Sequence, residues 1–254
     1  MTNTVSLTVE DGLATARLDR AHGNAIDPAL AEDLARVCRE AGADDGVRGL
    51  LLAAAGKLFC PGLDLQDLIE LDRADLERFV VTFNECIAIL YEFPKPMVAA
   101  IHGHAVAGGC VLTLTADWRI LRQGALVGLN EVRVGVPLPF GVSMIVRESV
   151  PRLYLEEVAL LGKNYTDDDA LAAGLVHEIR PAEDFEAFCR TRLEEFASRD
   201  RNALTITKRY LRSSIVERIR ARDPVLVDEF VDSWFRPETQ ERIRGIVADL
   251  RRRD

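Results

Sequence analysis

Two glycine-containing turns are where chemistry could reside in this 254-residue sequence. In "HAVAGGCVLTLTADWRI", His104 to Ile120, Gly108 and Gly109 stand directly before an apolar run that reads as a helix. The first backbone N–H groups of a helix have no partner inside it, and glycine lets a ligand come close to them. The pair can therefore offer N–H groups to an anion or oxyanion, or simply let a strand pack tightly on a helix. "FCPGLDL", Phe59 to Leu65, is a second such turn: a Pro-Gly step after a buried strand, entering a helix near Asp64. Two turns at the same end of neighbouring strands could aim two N–H groups at one oxygen, the geometry of an oxyanion hole.

Other chemistry-bearing residues have structural readings. The five cysteines, Cys38, Cys60, Cys86, Cys110 and Cys189, contain no C-x-x-C pair, which speaks against a disulfide framework and a zinc site. Cys60 and Cys110 flank the glycine turns without an obvious base partner and read as small buried residues. His102 and His104 on an apolar strand read as hydrogen-bonded structural histidines. Asp64 suits a helix start, where the dipole favours an acid. Lys208 and Arg209 in "NALTITKRYLR" read as a solvated helix face, with phosphate contact as the alternative. Phe230, Trp234 and Phe235 can pack on the core, pack on a neighbouring subunit or cap an acyl pocket.

These residues need a scaffold, and the pattern supplies an α/β one. "SLTVEDGLATARLD" gives two alternating runs around Asp11-Gly12, a hairpin. Asp27-Pro28 caps and starts a helix through "ALAEDLARVCREAG", which the pattern ends at Gly42. "VRGLLLAAAG" and "KPMVAAIHGHAV" are apolar runs of strand length, the pattern of strands buried on both faces. A helical region running to Tyr91 lies between them, and "ADWRILRQGALVGL" reads as short strands. In "TDDDALAAGLVHEI", Thr166 is the expected N-cap, Asp169 the capping-box residue and Gly174 the stop. From Phe185 to Arg253 the chain reads almost entirely as amphipathic helix, with no low-complexity linker before it.

Composition narrows the function further. At 48% hydrophobic residues the chain can bury a substantial core. A net charge of −9 argues against a nucleic-acid partner, although a small anion could still bind locally. Neither a G-x-G-x-x-G nor a G-x-x-x-x-G-K-[ST] loop occurs, so the NAD and ATP readings lose their main support. The N-terminus lacks the layout of a secretion signal, and the C-terminal "RRRD" is no lipidation or peroxisomal signal. Glycines and histidines interrupt the most apolar stretch, Met97 to Leu114, so no membrane span is expected. The expected location is the cytoplasm, whose reducing conditions suit unpaired cysteines.

"FCPGLDL", "HGHAVAGGCVL" and "GLNEVRVGVPLPFG", in this order and spacing, resemble the motifs of the crotonase superfamily, which binds acyl-CoA thioesters and stabilises their enolates. The resemblance extends more weakly from about Val5 to Leu250. It implies an α/β core of repeated ββα units over residues 1–195. It also implies a helical C-terminal region over 196–254 for trimerisation and active-site cover, in a homotrimer or a dimer of trimers. Carried over position by position, the two oxyanion N–H groups belong to Leu63 and Gly108, and the acidic position of the third motif is Glu131. Substrate contacts are implied at Ala25, Pro61, Gly62, Asp64 and Leu65, and after the glycine pair at Gly109, Val111, Pro139 and Phe140. Neither a metal nor a cofactor is implied, since coenzyme A is part of the substrate.

Hydratases of this superfamily carry a second glutamate three residues after the Gly108 position, where this chain has Val111. One glutamate kept and one lost, with "PFG" after the third motif, resembles the mitochondrial-type Δ3,Δ2-enoyl-CoA isomerases. Chemistry agrees: hydration must hold and activate a water, whereas moving a double bond needs one base that takes a C2 proton and returns it to C4. Val111, Leu129, Val132 and Val134 are expected to surround Glu131 and favour its neutral form. Hydration, another crotonase-type enolate reaction, and acyl-CoA binding without catalysis are the alternatives.

Overall fold

In the computed structural model, which describes residues 3–252, Asp11 and Gly12 both take positive φ and fold β1 (Val5–Glu10) onto β2 (Leu13–Leu18) as an antiparallel hairpin. Arg253 and Asp254, the ends of the expected helical tail and of "RRRD", lie outside the described residues. A single turn, α1 (Ala21–Asn24), leads to α2 (Pro28–Ala43), whose N-cap Asp27 accepts the Leu30 N–H at 2.8 Å. Gly42 does not end α2. The helix runs one residue further because the buried Lys95 ammonium donates to the carbonyls of Ala41 and Asp44, satisfying orphan acceptors in place of a glycine stop.

The apolar runs become the centre of a six-stranded sheet. β3 (Gly49–Ala54) is followed by the short helix α3 (Leu65–Leu68), by α4 (Arg73–Tyr91) and by β4 (Met97–Ile101). β5 (Ala105–Val106), α5 (Gly108–Leu114), β6 (Trp118–Arg122), β7 (Leu126–Gly128) and α6 (Glu131–Val134) come next. α7 (Phe140–Ser149), α8 (Leu155–Leu160), β8 (Asn164–Thr166), α9 (Asp167–Ala172) and β9 (Glu178–Arg180) complete the α/β part. The large sheet has the order β1-β2-β3-β4-β6-β9, parallel except for the first hairpin, and a small sheet has the order β5-β7-β8.

Every residue of β3 and β4 is buried because helices cover both faces of the large sheet. The main core fills one side. On the other, α10 (Phe185–Ala197) sets Phe185, Cys189 and Leu193 against Leu51, Val98 and Ile120. α11 (Arg201–Trp234) and α12 (Pro237–Arg251) contribute Ile219, Val231, Trp234 and Ile243 to the same core as the strands, so these C-terminal helices share the apolar interior of the rest. Among the described residues no helix is long and apolar enough to cross a membrane.

Thr166 stands at the N-cap of α9, but its hydroxyl makes no capping bond and has no partner among the described residues. Asp167 shapes that start instead, in a left-handed conformation with its carboxylate accepting the Gly124 N–H at 2.8 Å.

One repeating step positions the site. A strand of the large sheet is followed by a strand or bridge of the small sheet and then by a helix: β3, Cys60, α3; β4, β5, α5; β6, β7, α6. Cys60 pairs with Ala105, and Ala105 with Val127, all in parallel. Parallel neighbours end on the same side, so the three helix starts near Asp64, Gly108 and Glu131 fall along one edge.

Candidate active site

Backbone pairing leaves the Leu63 N–H free. Ile26 donates its N–H to the Gly62 carbonyl at 2.8 Å and accepts from the Asp64 N–H at 2.9 Å, so residues 62 and 64 face Ile26. Polar groups alternate along extended chain, so the Leu63 N–H points to the opposite side. The Gly108 N–H, first in α5, also has no backbone acceptor among the described residues.

The two turns abut. A Cβ on Gly62, whose φ is 102°, would lie 3.3 Å from the Gly108 nitrogen, and a Cβ on Gly109 would lie 2.0 Å from the Cys60 carbonyl oxygen. Ala107 precedes the pair with φ 48° and ψ −128°, a conformation disfavoured for a residue with a Cβ, and its N–H is anchored on the Gly128 carbonyl at 2.8 Å. Strain is thus held where the second N–H is aimed.

Glu131 opens α6 at the same edge. Its Oε2 is shielded from solvent and has no hydrogen-bond partner among the described residues, and burial pushes its carboxyl up to about 7, opposed only by its own backbone N–H. A carboxyl at that value can take a proton and return it near neutral pH. Val111 and Leu129 are buried and Val134 is half-buried, as expected, but Val132 is exposed. The single turn of α6 rotates Val132 about 100° from Glu131, toward solvent.

A cavity of about 670 Å³ joins these groups. Leu63, Gly108 and Glu131 line it, together with Ala25, Pro61, Asp64, Leu65, Val111 and Pro139. Three expected contact residues do not. Gly62 and Gly109 are consumed by the packing of one turn on the other. Phe140 sits beneath the Arg222 guanidinium, because helical spacing puts Pro139 and Val142 on the cavity face of α7 and turns Phe140 aside. Phe230 and Trp234 line the cavity, whereas Phe235 lies under Arg73.

Asp64 caps α3 through the N–H groups of Gln66 and Asp67, and it does more than the pattern suggested. Its buried carboxylate is 2.7 Å from Arg20 and 2.9 Å from His22 Nδ1, and Arg20 also reaches Asp67 and Asp27. Burial pushes the Asp64 carboxyl upward, but the bonds from His22 and Arg20 hold it below the usual range. The ligand atoms of His22, Asp64 and Asp67 lie within 4.8 Å of one another, and the Arg20 guanidinium already bridges both carboxylates where a cation would sit. This network escaped the sequence reading. Its signal is the "HGN" of residues 22–24, three consecutive left-handed residues pinned by Asn24 to the carbonyls of Ala55 and Leu58.

His102 bonds the Gly56 carbonyl at 3.0 Å, and His104 Nδ1 accepts the Leu126 N–H, so both serve the scaffold. Burial pushes the Cys60 and Cys110 thiols up to about 12, which suppresses the thiolate. Lys208 fits neither sequence reading: it is buried, and its ammonium donates to Asp117 at 2.6 Å and to the Lys95 carbonyl at 2.8 Å. A lysine on the inward face of α11 replaces solvent with those acceptors, while Arg209 remains exposed.

Two abutting glycine turns and a shielded carboxylate lie around one apolar cavity, on a crotonase fold. Residues 8–247 match the family model described as enoyl-CoA hydratase/isomerase. A putative enoyl-CoA hydratase of Thermus thermophilus is 30% identical over 233 residues, 91% of this chain and 90% of that protein. Human mitochondrial enoyl-CoA delta isomerase 1 is 25% identical over 211 residues, 82% of this chain and 70% of that protein. The crystal structure of human mitochondrial delta3-delta2-enoyl-CoA isomerase superposes with a TM-score of 0.94 at 23% identity, covering 99% of both chains, a likeness of fold. The chain belongs to the enoyl-CoA hydratase/isomerase family.

Proposed function

We propose that this protein is a Δ3,Δ2-enoyl-CoA isomerase with a single acid/base, Glu131. One observation carries the reading. The cavity wall holds two carboxylates, Asp64 and Glu131, and Asp64 is committed to Arg20 and His22. Of the two carboxylates Glu131 is the one left for proton transfer, and Val111 faces the cavity where a second acid would be needed to hold a water.

In this mechanism the thioester oxygen receives the Leu63 and Gly108 N–H groups, each worth roughly 3 kcal/mol to the developing dienolate. Glu131 removes a C2 proton and delivers it to C4. Ala25, Pro61, Leu65 and Pro139 frame the substrate, and coenzyme A enters and leaves as part of it. The reading includes a homotrimer or dimer of trimers, built through residues 196–254, in the cytoplasm. Light scattering at micromolar concentration is expected to give a mass that is a multiple of three chains; a monomer would contradict the assembly.

Hydration is the second reading, favoured by the hydratase name of the Thermus thermophilus relative. Panels of 3-enoyl-CoA and 2-enoyl-CoA separate the two by product mass, since hydration adds a water and isomerisation adds nothing. The expected outcome is hydration slower than isomerisation by orders of magnitude, because an apolar wall at Val111 does not hold an isolated water. Comparable rates would favour the hydratase. Val111→Glu is expected to raise the ratio of 3-hydroxyacyl-CoA formed to double bond shifted by about tenfold or more in folded protein. The new buried acid should also push one carboxyl pKa upward.

A further inference from the structure

The cavity wall is divided by chemistry. Its polar side chains, His22, Asp64, Gln66, Asn130 and Glu131, all come from α1 and from the starts of α3 and α6. Three other helices add stripes of hydrocarbon. α4 gives Phe79 and Phe83, α11 gives Phe230 and Trp234, and α12 gives Ile246 and Leu250, in each case four residues apart and so on one face of the helix. Each of the two aromatic pairs is stacked with centroids 6.2 Å apart, which fixes those two walls. Among the described residues neither lysine nor arginine lines the cavity. Its volume is about 670 Å³. An apolar cavity of about 150 Å³ takes up a benzene ring, so this one has room for roughly ten or more chain carbons beside a thioester.

We infer that the acyl group selected by this site is an uncharged hydrocarbon chain of about eight carbons or more, without a terminal carboxylate. The inference rests on the acyl-CoA reading above and names its substrate class. Water in an apolar cavity lacks the polar partners it needs, whereas a methylene chain takes both its own surface and that of the wall out of water. A carboxylate at the far end of such a chain would be buried without a cation to pair with, in a cavity that already holds Asp64 and Glu131. The stripes of α4, α11 and α12 are thereby specificity residues, acting on the acyl chain and not on the proton transfer.

The test titrates saturated acyl-CoA thioesters calorimetrically into the whole protein, from butanoyl-CoA to dodecanoyl-CoA, together with octanedioyl-CoA as the charged counterpart of octanoyl-CoA. Affinity is expected to rise by up to about threefold per added methylene and to level off once the cavity is full, with dodecanoyl-CoA roughly 100-fold or more tighter than butanoyl-CoA. Octanedioyl-CoA should bind roughly 100-fold more weakly than octanoyl-CoA, since its second carboxylate has no partner. Fluorescence locates the chain. Of the two tryptophans Trp234 lines the cavity, while Trp118 packs with α10 on the other face of the large sheet, so a dodecanoyl-CoA brominated along its chain should quench Trp234 in the Trp118→Phe protein. The inference is overturned if affinity is flat with chain length, if the diacid ester binds within about threefold of its counterpart, or if the brominated ester binds without quenching. Any of these results with butanoyl-CoA still bound removes this inference alone. Failure of every thioester to bind removes the acyl-CoA reading along with it.

Discussion

Glu131→Gln lowers turnover of 3-enoyl-CoA by about three orders of magnitude or more while acyl-CoA still binds, because the amide keeps the shape of the carboxylate but cannot accept a proton. Single-turnover kinetics together with calorimetric binding of a saturated acyl-CoA measure the two halves of that statement. Turnover within tenfold of the parent would move the base to another group. The pH profile carries the same assignment. Burial raises the Glu131 carboxyl to about 7, and the base must be ionised to act. The parent's kcat/KM should therefore fall about tenfold per pH unit below 7 and level off above it.

Stability runs the other way. A group whose pKa is raised on folding stabilises the fold fully below its unfolded value, near 4.5, and that contribution is lost as pH rises through about 7. Glu131→Gln removes this dependence, so the variant should be no less stable than the parent above pH 7, measured by urea unfolding. Loss of turnover without loss of stability separates chemistry from folding.

Gly109→Ala is the second large effect, and it acts on the scaffold of the two N–H groups. The added methyl would lie 2.0 Å from the Cys60 carbonyl oxygen and 2.8 Å from its carbon, both backbone atoms that no rotamer change can move away. That carbonyl also accepts the Val106 N–H at 3.1 Å, so displacing it pulls apart the pairing that sets one turn on the other. A fold cost of about 3 kcal/mol or more is expected, at the upper end of overpacking. In protein that still folds, kcat should drop at least 100-fold, about the loss of one oxyanion donor. Gly245→Ala, in α12 with open space around the added methyl, is the control and should be neutral or slightly stabilising. Normal turnover in Gly109→Ala would mean that the packing of the turns does not set the N–H geometry.

Local rules carried the elements well and their junctions less well. The Asp11-Gly12 hairpin, the Asp27-Pro28 helix start and the strands of "GLLLAA" and "MVAAI" form as their patterns require, since each signal lies within a few residues of what it specifies. Where the reading missed, a partner far along the chain decided: Lys95 closes α2 past Gly42, and Asp117 draws Lys208 inside. Exposure of Val132 and the outward turn of Phe140 depended on helix rotation at short elements whose period is too brief to read.

The sequence by itself determined the three motifs, the order in which they meet the sheet, and the presence of one glutamate with Val111 at the place of another. Those are properties of residue type and spacing. Only the tertiary structure decided that Leu63 and Gly108, whose N–H groups have no backbone acceptor among the described residues, line one cavity, that Asp64 is spent on Arg20 and His22, and that Glu131 lies buried enough for its carboxyl to reach about 7. Hydrogen-bond direction, burial and access depend on groups separated by many tens of residues, and proximity of that kind exists only once the parallel sheets have brought their helix starts to a single edge.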